Sequence, residues 1–193
     1  MSFFPSMHAI AARAYEAEGR AYHDSTHLDE VLARYEEVAR DVGWTQAREV
    51  YVALLFHDAV YVPGQTDNEA RSADMAADAI EREGIEGIDI ARVRELILLT
   101  ARHGKLEAVA LDADAALVLD CDMAILGAEA ERYDAYERAI RTEYAAVPDE
   151  MFDMGRRRFL SSVLAGRRIY LSEYFFGRLE GRARANLTRV LGA

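Results

Sequence analysis

The sequence predicts an all-α protein, and three observations support this fold class. Only three prolines occur in 193 residues. Long stretches are rich in Ala, Glu, Arg and Leu, which favour helix. Apolar residues recur at helical spacing, as at Val31, Tyr35, Val38 and Val42, so that such a segment has one face to bury.

The first half of the chain contains two helix-start signals and one ambiguous run. The patterns Thr26-x-x-Asp29 and Thr66-x-x-Glu69 match the capping box, and each predicts a helix N-terminus. The run VYVALLFHDAVYV at residues 50–62 suits a buried strand as well as a buried helix. We predict a helix there because no partner strand is evident.

Further helices are predicted in the second half, over residues 88–103, 111–146, 148–170 and 178–191, with a break at HGK. We find no internal repeat, low-complexity tract or linker that would divide the chain. A length of 193 residues is typical of one globular domain with a sizeable core. The sequence therefore predicts a single helical domain over residues 1–193.

The charge and hydropathy of the chain limit its partners. A net charge of -11 argues against broad binding to a nucleic-acid polymer or an anionic membrane, because both would be repelled. Apolar runs are interrupted by charge well before the roughly 20 residues of a membrane span, and the N-terminus lacks the basic start of a signal peptide. Cys121 is the only cysteine and fits a reducing compartment. We expect a cytoplasmic protein without a membrane partner.

The negative charge is unevenly distributed. From Met151 onward, nine arginines stand against three acidic residues. This basic part is expected to dock on an acidic body or on a second subunit, and a local phosphate-binding role for some arginines is the alternative. A homodimer is the expected oligomer on general frequency alone.

Four of the five histidines fall into a spaced pattern that includes carboxylates. His23 and His27 lie in YHDSTH, His57 directly precedes Asp58 in LLFHDAVY, and His103 lies in LLTARHGK. Imidazoles and carboxylates on separate segments can hold a divalent metal and leave coordination positions open for water and substrate. The pattern predicts a metal-site enzyme.

Helix geometry restricts how these residues can act. Adjacent helical residues point about 100° apart, so His57 and Asp58 can share an ion only near the flank or end of a helix. A buried hydrogen-bonded pair would explain this doublet without a metal. Residues 24–26 resemble N-cap residues, which places His23 before the helix and makes His27 the better ligand. His23 is then a candidate for substrate contact or for support of a ligand.

Asp120 and Asp122 present the opposite problem. Residues two apart on a helix lie on nearly opposite sides, so one of the two is expected to be a bystander. Both lie among apolar residues, and an unpaired buried carboxylate is costly. At least one of them should therefore have a cation or a hydrogen-bond partner, and spacing does not say which.

The segments AYHDSTH, LLFHDAVY, TDNEARSAD, LLTARH and DCDMAILG, followed by AIRTEYAAVPDE, GRRRFL, IYLSEYFF and ARANL, occur in an order that resembles one family. These are the bacterial proteins described as predicted metal-dependent phosphohydrolases of the HD superfamily. The resemblance covers residues 22–187 approximately. It implies an HD-like helical bundle with a metal-site core at about 20–145 and additional C-terminal helices at about 148–193. The metal ligands that it implies are His27, His57, Asp58 and Asp122, with Asp120 as the substitute if the alignment shifts by two residues.

The activity that the resemblance implies is hydrolysis of a phosphate ester in a small phosphorylated or nucleotide-like substrate by metal-activated water. Asp58 would bind the metal and orient the water. His103 would be a second metal ligand, a proton donor to the leaving group or a substrate contact. Alternatively, His103 is a helix C-terminal histidine favoured by the macrodipole.

The remaining candidates line the pocket or carry positive charge. Tyr22 and His23 are expected to contact the substrate, and Lys105 and Arg156 to contact phosphate, although both cations are also typical of an exposed surface. Glu69 is a candidate to hold a water or a second ion, but its capping-box position explains it without catalysis.

The expected cofactor is a divalent metal ion. Mixed nitrogen and oxygen ligands suit Mn, Fe, Co, Ni and Zn better than Mg. Two other function classes stay open: an HD-type diiron oxygenase, which needs more His and carboxylate ligands, and a non-catalytic module that binds a nucleotide or a partner. The sequence contains no Walker-type glycine loop, Rossmann fingerprint or nucleophile elbow.

Overall fold

The computed structural model describes residues 3–105 and 111–192, and within these ranges the protein is all-α, as predicted. No helix in these ranges has both the length and the apolar character that a membrane span requires. A short 3-10 helix at Ala124–Gly127 separates the sixth and seventh helices. The described α-helices are α1 (Pro5–Tyr15), α2 (Ser25–Asp41), α3 (Ala47–Phe56), α4 (Asn68–Arg82), α5 (Ile90–Thr100), α6 (Ala113–Met123), α7 (Ala130–Glu143), α8 (Asp149–Ala165) and α9 (Glu173–Leu191).

The chain divides into two compact units, Met1–Arg102 and His103–Ala193. The first unit contains α1 to α5, and the second contains α6 to α9. The division lies inside the predicted metal-site core at about 20–145. The single HD-like domain with a C-terminal extension stays a prediction.

Helix α3 is the centre of the first unit. Every residue from Val50 to Phe56 is buried, and α3 packs against α1, α2, α4 and α5. A helix that is apolar all round requires neighbours on all sides, and these four helices provide them. The ambiguous run is therefore helical up to Phe56, as predicted. Residues 57–62 leave the helix, so the predicted helix is too long at this end.

Helix α2 begins two residues earlier than the capping-box pattern predicts. Its N-cap is Asp24, whose Oδ1 accepts hydrogen bonds from the backbone N–H groups of Thr26 at 2.8 Å and His27 at 3.2 Å. A carboxylate that accepts two N–H groups at a positive helix end is a stronger cap than a threonine hydroxyl. The predicted cap at Thr26 is therefore wrong, whereas the expected position of His23 before the helix is confirmed.

Helix α4 also starts away from its predicted cap. It begins at Asn68, and the N-cap is Asp67 rather than Thr66. The Asn68 side chain accepts from the N–H of Val62 and donates to the carbonyl of Val62, both at 3.0 Å. These two bonds close the loop of residues 62–68 and fix the point at which α4 begins. Glu69 lies in the first turn of α4 and is half-buried.

In the second unit, the helix predicted over residues 111–146 is broken into α6, the 3-10 helix and α7. The break brings Gly127 so close to α9 that an added Cβ would lie 2.7 Å from the Cβ of Leu179. The carbonyls freed by the break have new donors, because the side-chain amide of Asn186 donates to Leu126 at 3.0 Å and to Ala128 at 2.9 Å. Contacts distant in sequence therefore stabilise the break.

Two buried carboxylates bind the segment between α8 and α9. Glu180 accepts the N–H groups of Ile169 at 3.0 Å and Tyr170 at 3.1 Å. Asp120 accepts bonds from residues 171 and 172. Because these N–H groups bond to side chains, residues 166–172 are not helical. The predicted helices 148–170 and 178–191 are thus corrected to Asp149–Ala165 and Glu173–Leu191.

The importance of the apolar face of α5 can be tested with two leucines on that helix. Leu96 is fully buried, whereas the side chain of Leu98 is 43% exposed. We expect Leu96→Ala to lower the free energy of unfolding by about 2–5 kcal/mol, because it leaves a cavity. Leu98→Ala should change it by less than about 0.5 kcal/mol. Urea unfolding followed by circular dichroism measures both, and equal effects would contradict the packing described for α5.

Candidate metal centre

Three side chains of the first unit converge on one point. The Nε2 atoms of His27 and His57 are 3.1 Å apart. Oδ2 of Asp58 lies 3.1 Å from Nε2 of His57 and 3.5 Å from Nε2 of His27. Both histidines are 1% exposed, and the aspartate side chain is 15% exposed. Three of the sequence-predicted ligands are thus brought together in a nearly closed site.

Two helix ends position these side chains. His27 lies in the first turn of α2, next to the Asp24 cap. His57 directly follows the last residue of α3, and Asp58 comes next. The sequence-based condition that the doublet must lie at a helix end is therefore met, and the turn after α3 lets both side chains face His27.

The orientation of the His57 ring follows from its backbone bond. Nδ1 of His57 lies 2.8 Å from the carbonyl oxygen of Leu54. Because a carbonyl only accepts, Nδ1 carries the proton, and the lone pair of the neutral ring is on Nε2. Metal-binding histidines commonly make such a bond with the ring nitrogen that does not bind the metal. The nitrogen that faces His27 and Asp58 is thus the one able to bind a cation.

Tyr15 and Arg20 support the site, and neither is predicted from the sequence. The hydroxyl of Tyr15 accepts the N–H of Asp58 at 3.2 Å and lies 3.3 Å from Nδ1 of His57. The guanidinium of Arg20 donates to the carbonyls of His23 and Asp58, each at 2.7 Å, and to that of Ala59 at 2.8 Å. Arg20 therefore links the segment before α2 to the turn after α3 through hydrogen bonds. Bonds to backbone groups leave no pattern in the sequence.

The three converging atoms fit a divalent cation. Bonds of about 2.0–2.2 Å to nitrogen and oxygen ligands place neighbouring ligand atoms roughly 3–3.5 Å apart in tetrahedral or octahedral geometry. The observed separations of 3.1, 3.1 and 3.5 Å match this spacing. The atoms of His27, His57 and Asp58 are therefore placed to form one face of the coordination polyhedron of a divalent cation.

Electrostatics keep the Asp58 carboxyl ionised. Burial alone would raise its pKa, but the imidazoles of His57, His23 and His27 outweigh burial and hold the pKa of Asp58 well below its usual range. At neutral pH this side chain is a carboxylate that only accepts, which is the form that binds a cation.

Aromatic side chains lie beside the three converging atoms. The His23 ring stacks on the Tyr61 ring with centroids 3.8 Å apart, and its Nε2 lies 3.9 Å from Oδ2 of Asp58. Tyr22 is buried, and its ring centroid lies 4.7 Å from that of His27. Tyr22 and His23, both predicted as substrate contacts, thus lie beside the three converging atoms. Their roles as substrate contacts stay predictions.

In the second unit, His103 and Asp122 form a close pair. Nε2 of His103 lies 2.6 Å from Oδ2 of Asp122, and each side chain is 17% exposed. The carboxylate fixes the direction of the ring, as in other sites where a carboxylate orients a histidine. The predicted roles of Asp122 as a metal ligand and of His103 in catalysis stay predictions.

The two predicted phosphate contacts differ in their surroundings. Lys105 is exposed. Arg156 is largely buried and forms a two-pronged ion pair with Glu137, from Nε at 3.0 Å and from Nη2 at 2.8 Å. Its guanidinium also lies over the ring of Tyr136, at 4.9 Å from the centroid. Two of the donors of Arg156 are therefore already used within the second unit.

Asp120 has a structural partner. Its carboxyl accepts the N–H of Leu171 at 2.8 Å, and both the N–H and the hydroxyl of Ser172, at 2.7 and 2.6 Å. Burial raises the pKa of Asp120 to about 6, although these bonds act in the opposite direction. The partner that a buried carboxyl requires is thus supplied by the segment before α9.

Comparisons of the chain with protein-family models, with curated proteins and with solved structures gave no match. The HD-family resemblance accordingly stays a prediction.

The metal centre can be tested by measuring metal uptake. We expect His27→Ala and Asp58→Asn to weaken binding of Mn, Co, Ni or Zn by at least about 100-fold, because each removes one of the three converging atoms described above. His8→Ala should bind metal as the parent protein does, since His8 lies on α1 outside the cluster. Equilibrium dialysis with elemental analysis measures the affinities. Equal uptake by all four proteins would rule out this site.

The two aspartates of α6 can be separated by stability. Asp120→Ala leaves the N–H groups of Leu171 and Ser172 without their acceptor, and we expect a loss of about 1–3 kcal/mol in the free energy of unfolding. Asp122→Ala removes a partly exposed contact with His103 and should cost less than about 1 kcal/mol. Urea unfolding monitored by circular dichroism gives both values.

The cost of Asp120→Ala should also depend on pH. The folded pKa of about 6 is above the unfolded value, so the stabilising contribution of Asp120 is complete below about pH 4 and declines as the pH rises through about 6. We therefore expect the variant to lose more stability at pH 5 than at pH 8. A loss that grows with rising pH would contradict the raised pKa.

Proposed function

We propose that the protein is a metal-dependent phosphohydrolase that acts on a phosphate ester of a small phosphorylated or nucleotide-like molecule. The observation that carries the proposal is the convergence of His27 Nε2, His57 Nε2 and Asp58 Oδ2 at the spacing of metal ligands. Two imidazoles and one carboxylate suit Mn, Fe, Co, Ni or Zn better than Mg.

The chemistry requires a strong nucleophile and neutralisation of negative charge. A divalent ion held by the three atoms would supply positive charge next to the phosphoryl oxygens and make water acidic enough to attack near neutral pH. His27 and His57 provide neutral nitrogen ligands. Asp58 is ionised, and its second carboxylate oxygen is suited to accept a hydrogen bond from the attacking water and so to orient it.

The neighbouring aromatic residues suit the substrate side of the site. The ring of His23 is held by stacking on Tyr61 and is partly exposed beside Asp58, so that it is placed to donate to a phosphoryl oxygen. Tyr22 packs against His23 and His27 and would limit access of water to the bound substrate. Lys105 and Arg156 remain candidates for phosphate contact within this proposal.

His103 and Asp122 have two possible roles in the proposed reaction. The resemblance to the HD superfamily assigns Asp122 as a metal ligand. The 2.6 Å contact between the two side chains also suits a proton donor, because the carboxylate would hold the imidazole in one orientation towards the leaving group. We include both residues in the proposed machinery.

Turnover by metal-loaded protein tests the proposal. Metal-free protein should be loaded separately with Mn, Co, Ni, Zn and Mg and assayed for phosphate release from a panel of phosphomonoesters and nucleotides. We expect turnover that requires one of the transition metals, and we expect Asp58→Asn to lower kcat by at least about 100-fold. Asp29→Asn, an exposed change on α2, should keep full activity.

Other outcomes would replace the proposed function. Stoichiometric metal binding without phosphate release across the panel would instead support a non-catalytic binding module. Two iron atoms per chain together with oxygen consumption would support a diiron oxygenase.

A further inference from the structure

Helix α4 holds the segment of residues 60–62 at two points. The hydroxyl of Ser72 accepts the N–H of Val60 at 3.0 Å and donates to the carbonyl of the same residue at 3.2 Å. The side-chain amide of Asn68 makes an equivalent pair of hydrogen bonds with Val62, both at 3.0 Å. Both side chains of α4 are buried, so little water competes for these bonds. We call these four hydrogen bonds the α4 clamp.

Tyr61 lies between the two clamped residues. Because both of its neighbours are bonded to α4, the backbone of Tyr61 is held in position. Its ring is half-buried and stacks on the ring of His23, with centroids 3.8 Å apart and 25° between the ring planes. The side chain of Val62, by contrast, is 42% exposed. The α4 clamp therefore sets the position of the Tyr61 ring, and that ring restricts the orientation of His23.

Other contacts of His23 act together with the stacking. His23 lies in a turn before α2, so its ring direction is not set by a helix. The guanidinium of Arg20 donates to the backbone carbonyl of His23 at 2.7 Å and also lies 5.9 Å from the centroid of the Tyr61 ring. The ring of Tyr22 meets that of His23 edge to face, with 4.9 Å between centroids. The direction of the His23 ring thus depends on Arg20 and two tyrosines.

The His23 ring, held in this way, directs one nitrogen towards the candidate metal centre. Its Nε2 lies 3.9 Å from Oδ2 of Asp58, which is too long for a hydrogen bond. The three converging atoms are closer to one another, at 3.1–3.5 Å, so His23 lies beside them rather than among them. The side chain of His23 is 15% exposed, so a ligand can reach it. Nε2 of His23 is therefore placed to bond an anionic oxygen next to Asp58.

We infer that Tyr61 is a positioning residue, which holds His23 so that Nε2 donates a hydrogen bond to a phosphoryl oxygen of the substrate. The α4 clamp holds Tyr61 in turn. A free histidine side chain loses rotational freedom when it binds a ligand, whereas a stacked one has lost much of it already, so the ligand binds more tightly. The inference rests on the proposed function, because it takes the anionic oxygen to belong to a phosphoryl group. Tyr61 should therefore affect phosphate binding without affecting metal affinity.

The stacking itself can be tested without any activity. Protons of a ring that lies over a tyrosine face resonate upfield, so the ring signals of His23 should lie upfield in the parent protein. Tyr61→Leu removes the aromatic ring and should move these signals downfield, whereas Tyr61→Phe keeps the ring and should leave them in place. Proton–carbon NMR of the histidine rings measures the shifts, and the signals lost in His23→Gln assign them. Unchanged signals in Tyr61→Leu would overturn the inference.

Binding of inorganic phosphate tests the assigned role. Protein is loaded with Mn, freed of excess metal and titrated with phosphate by calorimetry. We expect His23→Gln and Tyr61→Leu each to weaken phosphate binding by at least about tenfold, because a hydrogen bond to a charged group is lost or misdirected. Tyr61→Phe should bind phosphate as the parent does. Since Tyr61 acts through His23, the double variant H23Q/Y61L should be no weaker than His23→Gln alone.

Three comparisons separate this role from general damage to the fold. Tyr61→Leu should take up Mn as the parent does, and its circular dichroism should be unchanged. Ser72→Ala removes two bonds of the α4 clamp and should weaken phosphate binding, but by less than Tyr61→Leu, because the bonds from Asn68 remain. Val62→Ala changes an exposed side chain and keeps both backbone bonds of that residue, so it should bind phosphate as the parent does.

Turnover distinguishes this inference from the proposed function. Where a phosphate ester is hydrolysed, we expect Tyr61→Leu to raise KM and leave kcat close to that of the parent. Hydrolysis with an unchanged KM in Tyr61→Leu would overturn the inference and leave the proposed function standing. Phosphate binding that Tyr61→Leu weakens, without hydrolysis of any ester, would support the inference and contradict the proposed function. A Mn-loaded parent that binds no phosphate at millimolar concentration would overturn the inference, as would a double variant weaker than His23→Gln.

Discussion

The carboxyl end of α3 imposes the constraint on which the candidate site depends. The last carbonyls of a helix lack partners within it, and a buried helix end needs donors from elsewhere. Here the ring of His57 donates to Leu54, and Arg20 donates to Asp58 and Ala59. The bonds that complete this helix end also direct His57 Nε2 and the Asp58 carboxylate towards His27. The same hydrogen bonds therefore stabilise the end of α3 and set the geometry of the candidate site.

The helical class was predictable because it depends on composition and spacing, whereas several boundaries depend on contacts distant in sequence. The prediction of a helix in the ambiguous run at residues 50–62, which depends on the lack of an evident partner strand, is correct up to Phe56. The end of α8 and the start of α9 were misplaced because Asp120 and Glu180 bind the intervening N–H groups. No local sequence pattern predicts these hydrogen bonds. The break before α7 likewise depends on how closely Gly127 approaches α9.

The site was predictable to the extent that its chemistry is carried by rare side chains. Histidines with a neighbouring carboxylate stand out in a sequence, and the structure brings His27, His57 and Asp58 together. Arg20 was not predictable, since its donors go to carbonyls that every residue possesses. Helical spacing indicated that the two aspartates of α6 differ in role. It could not show that Asp120 bonds the segment before α9, which requires knowledge of the tertiary packing.

The hydrogen bond between His57 and the Leu54 carbonyl affects which residues would be kept as descendants of this protein diverge in sequence. A lineage that abandoned catalysis would still need a donor for that carbonyl, so selection for folding alone would tend to preserve the histidine at position 57. The Nε2 atom of His27 faces His57 and Asp58, the two other candidate ligands. Its persistence in a descendant would therefore report directly on the candidate metal centre.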